Sequence, residues 1–222
     1  MKRFALPVVA VAVFALVGAA PSFAGTNLIV NGDFSTPALS PGSWGLFTSA
    51  QVTGWSTTDP SGLMEIDTPG PIGPGKNPYS AQSLEVNANN PETVQQTITG
   101  LTVGQTYWLE WAYGDRPGSG DESMQVWLNG VLLTTDTDTL NNSSLFWTNN
   151  GFEVVATSTS ETLSFVGLAD SGSPSYGNEV TDVSLIATPE PSTWLLMISG
   201  LGFIAFAAWR QRGVAMPSIS AI

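Results

Sequence analysis

The 222-residue chain contains no cysteine and no histidine. Without cysteine there is no disulfide framework, no thiol nucleophile and no cysteine-ligated zinc or iron–sulfur site. Without histidine the commonest general base and metal ligand is missing, and with it every Ser-His-Asp or Cys-His constellation. Positive charge is nearly as scarce, with 6 Lys and Arg against 18 Asp and Glu. Residues 25–187 hold only Lys76 and Arg116 against 17 acids, a local formal charge of −15. Such a body is repelled by phosphate backbones and anionic lipid, which argues against nucleic-acid binding. Any enzyme chemistry would rest on carboxylates alone. Gly70 to Lys76 has the spacing of a P-loop, but Asn77 replaces its Ser or Thr and prolines interrupt it. No helix pattern follows, so it reads as a loop.

What is present begins at the two ends. Lys2 and Arg3 precede an uncharged apolar run, Phe4 to Ala19, and Ser22-Phe23-Ala24 fits a small-x-small cleavage rule. This predicts a signal peptide over 1–24, cut between Ala24 and Gly25. At the other end Pro189-Glu190-Pro191 precedes an apolar run from Trp194 to Trp209, closed by Arg210 and Arg212. A lack of any polar face argues against a buried core helix and for a transmembrane helix over 194–209. Sixteen residues reach about 24 Å as a helix, against a bilayer core of about 30 Å. The span is therefore short for a permanent anchor. Trp194 and Trp209 suit the two interfaces, and Arg210 and Arg212 would lie in the cytoplasm.

Between these ends, residues 25–187 are long enough for one domain with a sizeable core. They alternate in period 2 and are broken often by Gly, Pro, Asn and Asp, which is the all-β pattern. Strands are expected at Leu28–Phe34, Gln51–Ser56, Leu63–Asp67, Ser83–Asn87, Thr93–Thr99, Thr106–Tyr113, Glu122–Leu128, Val131–Thr135, Phe152–Ala156, Thr162–Leu168 and Val180–Ile186. Thr68–Asn77, rich in Pro and Gly, is expected to be irregular. Tyr107, Leu109, Trp111 and Tyr113 share one face, expected to be the core face because Glu110 marks the other. Asn129-Gly130 is a type I′ hairpin signal. Short strands at this spacing, with no amphipathic helix between them, predict a β-sandwich.

The tail, in its order of Pro189-Glu190-Pro191, apolar helix and basic stop, resembles the PEP-CTERM sorting signal of Gram-negative bacteria that make extracellular polysaccharide. The resemblance implies recognition by an exosortase, a transient hold in the inner membrane, cleavage near the motif, and release to the cell surface or extracellular matrix. Ten further residues, Gly213–Ile222, follow the basic stop, where such signals usually end. Thus 188–212 reads as the sorting signal and 213–222 as an extension. The body also looks familiar through Asn27-Leu-Ile-Val-Asn-Gly-Asp-Phe34, Gly54-Trp55, Ala81-Gln-Ser-Leu-Glu-Val86, Val94-Gln-Gln-Thr-Ile98, Gly100 to Leu109 and Asp182-Val-Ser-Leu185. This series is similar to galactose-binding-like jelly rolls of the choice-of-anchor C type, with carbohydrate-binding modules as distant kin. It implies a jelly-roll sandwich that binds glycan or sits in a matrix, and not an enzyme.

In the carbohydrate-binding kin a structural calcium often ties the first strand to the last. The matching positions are Asp33 and Asp182, with Ser35, a weaker ligand, where many kin have Glu, and with Glu179 and backbone carbonyls to compensate. The alternative is that Asp33 caps a turn and Asp182 hydrogen-bonds a strand end. Sugar sites use aromatic platforms with polar side chains for hydroxyls. Trp44, Trp55, Trp108, Trp127, Trp147 and Tyr176 are the candidate platforms. Trp108 and Trp127 lie on the polar faces of their strands and would share one surface if those strands were neighbours. Arg116, in the polar stretch Tyr113–Glu122, is a candidate for a ligand carboxylate or hydroxyl; otherwise Asp115, Asp121 or Glu122 beside it would hold it. A carboxylate-only glycoside hydrolase would need two acids about 5–9 Å apart, and no strand shows a paired motif. A purely structural matrix protein is the other alternative.

Overall fold

The computed structural model describes residues 25–70, 77–88, 90–116, 122–138, 145–168, 177–189 and 191–212. The expected signal peptide with Ala24, the tail 213–222, and Glu190, Asp121 and Tyr176 lie outside the described residues. The strands are β1 (Trp44–Thr48), β2 (Ser56–Thr57), β3 (Leu63–Asp67), β4 (Ser83–Glu85), β5 (Thr93–Thr99) and β6 (Thr106–Asp115). They continue with β7 (Glu122–Leu128), β8 (Val131–Asp138), β9 (Phe146–Val155), β10 (Ser160–Gly167) and β11 (Glu179–Ala187). Helix α1 spans Pro191–Arg212.

Two antiparallel sheets form a jelly-roll β-sandwich. The first has the order β1-β3-β4-β11-β6-β9 and the second β2-β5-β10-β7-β8. Period-2 alternation places one side of each strand in the shared core. On β6, Tyr107, Leu109, Trp111 and Tyr113 are all buried, as the position of Glu110 implied. Leu84, Val180, Met124, Val126, Leu163 and Phe165 face them from the other strands. A line of rings crosses the core: Phe34–Trp55 at 5.2 Å, Trp55–Phe165 at 5.9 Å, Phe165–Trp111 at 6.3 Å, and Trp111–Phe152 stacked at 5.8 Å. Both indole N–H groups are satisfied, Trp55 donating to the Asn31 carbonyl at 3.1 Å and Trp111 to Asp136 at 2.9 Å. Trp55 is therefore core, not a sugar platform. Asn129 and Gly130, both with positive φ, make the tight β7–β8 turn that the sequence called for.

Two expected strands are lost or shortened. Leu28–Phe34 is not a strand. Asn31 and Phe34 have positive φ, and the segment touches β11 through only isolated backbone bonds, Leu28 N–H to the Leu185 carbonyl and Val183 N–H to the Gly32 carbonyl, both 3.0 Å, with side chains holding other backbone groups. Gln96 both accepts from the Val30 N–H (2.8 Å) and donates to the Val30 carbonyl (2.9 Å), while the Asn27 carboxamide accepts from the Ile29 and Leu185 amides. Gln51–Ser56 is largely a turn, leaving only the short β2. The region 194–209 is helical within α1, with its described apolar side chains exposed. Among the described residues no helix is long and apolar enough to cross a membrane.

The sandwich is stapled up to the edge of the Pro-framed motif. The Thr188 N–H donates to the Thr106 carbonyl at 2.9 Å, and Gln105 donates to the Thr188 carbonyl at 2.9 Å. Pro189 is the next residue, and Pro191 opens α1, a position where its missing N–H costs nothing.

Candidate functional site

Outward-facing side chains divide between two separate sheets. On the five-stranded sheet, alternation sends Thr93 and Gln95 of β5, Thr162, Ser164 and Val166 of β10, and Gln125 and Trp127 of β7 away from the core. Ser164 is the register partner of both Gln95 and Trp127, and Val166 of both Thr93 and Gln125. These rows, with Gly130 at the hairpin, line an open groove of about 550 Å³. The Trp127 N–H donates to the Gln125 carboxamide at 3.1 Å, which fixes the indole within the groove. One flat aromatic among amides and hydroxyls is the surface a pyranose needs, with an apolar face to stack on and polar groups for its hydroxyls.

Trp108 is outward-facing too, but on the other sheet. β6 pairs with β11 and β9, and β7 with β10 and β8, so the two tryptophans lie on opposite sides of the sandwich. Trp108 donates to Glu110 at 3.3 Å and lies across Gly151, where a Cβ would come within 2.3 Å of the ring. Trp147 lies in the same way over Gly114 and meets Tyr79 edge-on at 6.3 Å. Trp44 is exposed on the edge strand β1.

The first sheet holds a feature that the sequence did not reveal. Glu65 of β3 is the register partner of Glu85 on β4, which in turn partners Glu179 on β11. Asp67, two residues along β3, partners Ser83. Their neighbours Ile66, Leu84 and Val180 fill the core, so the acids share the opposite face. They are nonetheless buried: Glu65 is 8% exposed, Asp67 1%, Glu85 and Glu179 0%. Arg116 joins them, donating to Glu85 at 2.7 Å, and the Gly177 N–H meets the other Glu85 oxygen at 2.6 Å. Arg116 directly follows β6, and its partner Glu85 lies on β4, two places along the sheet order. Burial, with Glu85 next in weight, pushes Glu65 up to about 7. Burial, then Glu65 and Glu85, pushes Asp67 up to about 8. Burial raises Glu179 well above the usual carboxylate range; the Ser83 hydroxyl lies close enough to temper this without reaching hydrogen-bond geometry. Each strand shows an acid alternating with apolar residues, which reads as an ordinary wet face. Only the cross-strand register brings the acids together.

Asp33 and Asp182 are both exposed. Asp33 accepts from the Ser35 amide and hydroxyl, at 3.2 and 2.9 Å, as a turn cap does. Asp182 sits with positive φ at a β-bulge in the β11–β6 pairing. Its carboxyl is raised by burial first, then by Glu110 and Asp33, so the two aspartates are neighbours. Glu179 does not join them; it belongs to the buried cluster. Among the described residues, the acids whose ligand atoms lie within 4.8 Å of one another are Glu65, Asp67 and Glu85.

Residues 187–212 match the PEP-CTERM protein-sorting motif family. The motif marks the chain for export, with membrane-anchored transit and exosortase processing. A stretch of 172 residues is 27% identical to halomucin of Haloquadratum walsbyi, covering 74% of this chain. The chain spans about 2% of the length of halomucin. Among solved structures, a cyclase from Fischerella sp. TAU superposes with a TM-score of 0.50 at 18% identity, over 75% of this chain and 98% of that one. A CBM4 structure covers 72% of this chain and 99% of its own, with a TM-score of 0.40 at 15% identity. The likeness to the cyclase is one of fold.

Proposed function

We propose that this exported sandwich is a glycan-binding protein of the cell surface or extracellular matrix, holding exopolysaccharide in the groove of its five-stranded sheet. The observation that supports this is the groove itself, with Trp127 fixed by Gln125 and flanked by Gln95, Thr93, Thr162 and Ser164. It lies open along the sheet and would admit a polymer from either side. No strong positive charge lines it, which suits neutral sugars better than sulfated ones.

A glycosidase is less well supported. The described acids whose oxygens lie within 4.8 Å of one another, Glu65, Asp67 and Glu85, are exposed by 8% or less, which keeps a polysaccharide chain from reaching them. The sorting signal would deliver the domain. The exosortase would cut near Pro189-Glu190-Pro191, beyond the last hydrogen bond of the sandwich at Thr188, so release leaves the fold intact.

The test is binding of the purified full-length chain to a glycan array and to the producing organism's own polysaccharide. The expected result is saturable binding to one class of neutral or weakly acidic glycan. Absence of binding at millimolar sugar would leave a purely structural matrix role and overturn the proposal.

A further inference from the structure

The carboxylates of the six-stranded sheet are too many and too buried for the charge that meets them. Glu65, Asp67, Glu85 and Glu179 face one Arg116 among the described residues, and that guanidinium is engaged with Glu85. Like charges placed directly opposite on a sheet repel. A buried ion without a partner costs several kcal/mol. Yet both oxygens of Asp67 and both of Glu179 are buried with no hydrogen-bond partner. The two side chains are 1% and 0% exposed, and each acts electrostatically on its neighbours in the cluster. Four orphaned acceptors on one patch of sheet are what a cation would satisfy.

The spacing fits an ion. One oxygen each of Glu65, Asp67 and Glu85 lie within 4.8 Å of one another. Calcium bonds of about 2.3–2.6 Å accept ligand oxygens up to about 5 Å apart, and the ion takes six to eight of them. Glu179, register partner of Glu85, supplies the unpartnered oxygens next along the row. A hard divalent cation prefers these carboxylates, and the chain has no histidine or cysteine to bias the site toward a softer metal.

We propose that Glu65, Asp67, Glu85 and Glu179 form a calcium-class divalent cation site on the outer face of the six-stranded sheet, separate from the groove and from Asp33 and Asp182. The ion ties β3, β4 and β11 together. β3 and β4 are consecutive and β11 is the last strand of the sandwich, so binding ties the far end of the chain to them in the half of the sheet away from β9. The site is independent of what the groove holds.

Terbium, which substitutes for calcium, tests this on the full-length chain at pH 7.5, with Trp147 over Gly114 as an antenna beside the Glu179 row. Calcium is expected to displace the sensitised terbium at one site. Asp67→Asn should weaken calcium binding at least tenfold, and Asp67→Asn with Glu179→Gln should abolish it. Asp182→Asn should leave it unchanged. Calcium should also raise the melting temperature of the native chain but not of the double variant. In calcium-free buffer the double variant should melt no lower than the native chain, since each change replaces a buried carboxyl that has no hydrogen-bond partner with a neutral amide of the same shape; this separates a lost site from a lost fold. No saturable binding up to about 10 mM calcium, above the range of extracellular modules, would overturn the proposal. So would native-like calcium binding by the double variant, or loss of binding on Asp182→Asn.

Discussion

A carboxyl buried away from any cation keeps its proton to higher pH, and the folded state then loses stability as pH forces the proton off. Glu92 isolates this effect outside the acidic row. It is 4% exposed, and burial drives it up to about 8, with the Thr57 hydroxyl opposing and Asp59 and Glu85 adding to the rise. Its folded pKa is above its unfolded one, so its contribution is full below pH about 4.5 and lost as pH climbs to 8. The native chain should therefore weaken across that window relative to Glu92→Gln, by about 1.4 kcal/mol per pH unit while the group titrates. Parallel urea melts at pH 5 and pH 8 measure the difference. Equal slopes for both chains would contradict it. Single residues were partly legible: Trp108 and Trp127 do face outward, and Asp33 accepts from the Ser35 amide and hydroxyl at a turn. Arg116 was legible as engaged, but Glu85 as a partner was not, because Glu85 is brought to it by the sheet order.

At the scale of elements, β3, β5 and β7 match their sequence ranges because Leu, Met, Ile and Val alternate cleanly with polar residues, which fixes the face that enters the core. β9 was seen only in its last residues, since Thr148-Asn-Asn-Gly151 reads as a turn in isolation; pairing along all of β6 overrides that preference. β1 was missed for a similar reason, with Gly45 inside it and Pro41-Gly42 before it. The opening segment failed in the other direction. Leu28–Phe34 has strand-like residues, yet positive φ at Asn31 and Phe34 breaks the ladder, and side chains share its backbone groups with two bonds to β11. Gln96, 3% exposed, is the main clamp. Gln96→Leu removes both bonds to Val30 and should destabilise the chain by about 1–3 kcal/mol, with faster amide exchange at Val30. A melting temperature unchanged from the native chain would contradict that role. The acidic row was illegible because it exists only in the register of three strands.

For the whole molecule, the two ends decide where the sandwich goes and its faces decide what it does there. The mass of the mature protein in membrane and medium fixes both cuts. The expected species begins at Gly25 and ends near Pro189–Pro191, and appears outside the membrane. A stable full-length C-terminus in the membrane would contradict the transient hold, and the extension 213–222 is the part whose removal should then restore processing. Trp127 and Trp108 allow the binding face itself to be assigned, because they stand on opposite sheets and neither belongs to the core. The most direct measurement is the affinity of the native chain, Trp127→Ala and Trp108→Ala for the same polysaccharide. The groove account predicts that Trp127→Ala loses about tenfold or more, the worth of one aromatic platform, while Trp108→Ala binds as the native chain does. Equal binding by Trp127→Ala and the native chain, or a loss confined to Trp108→Ala, would contradict it.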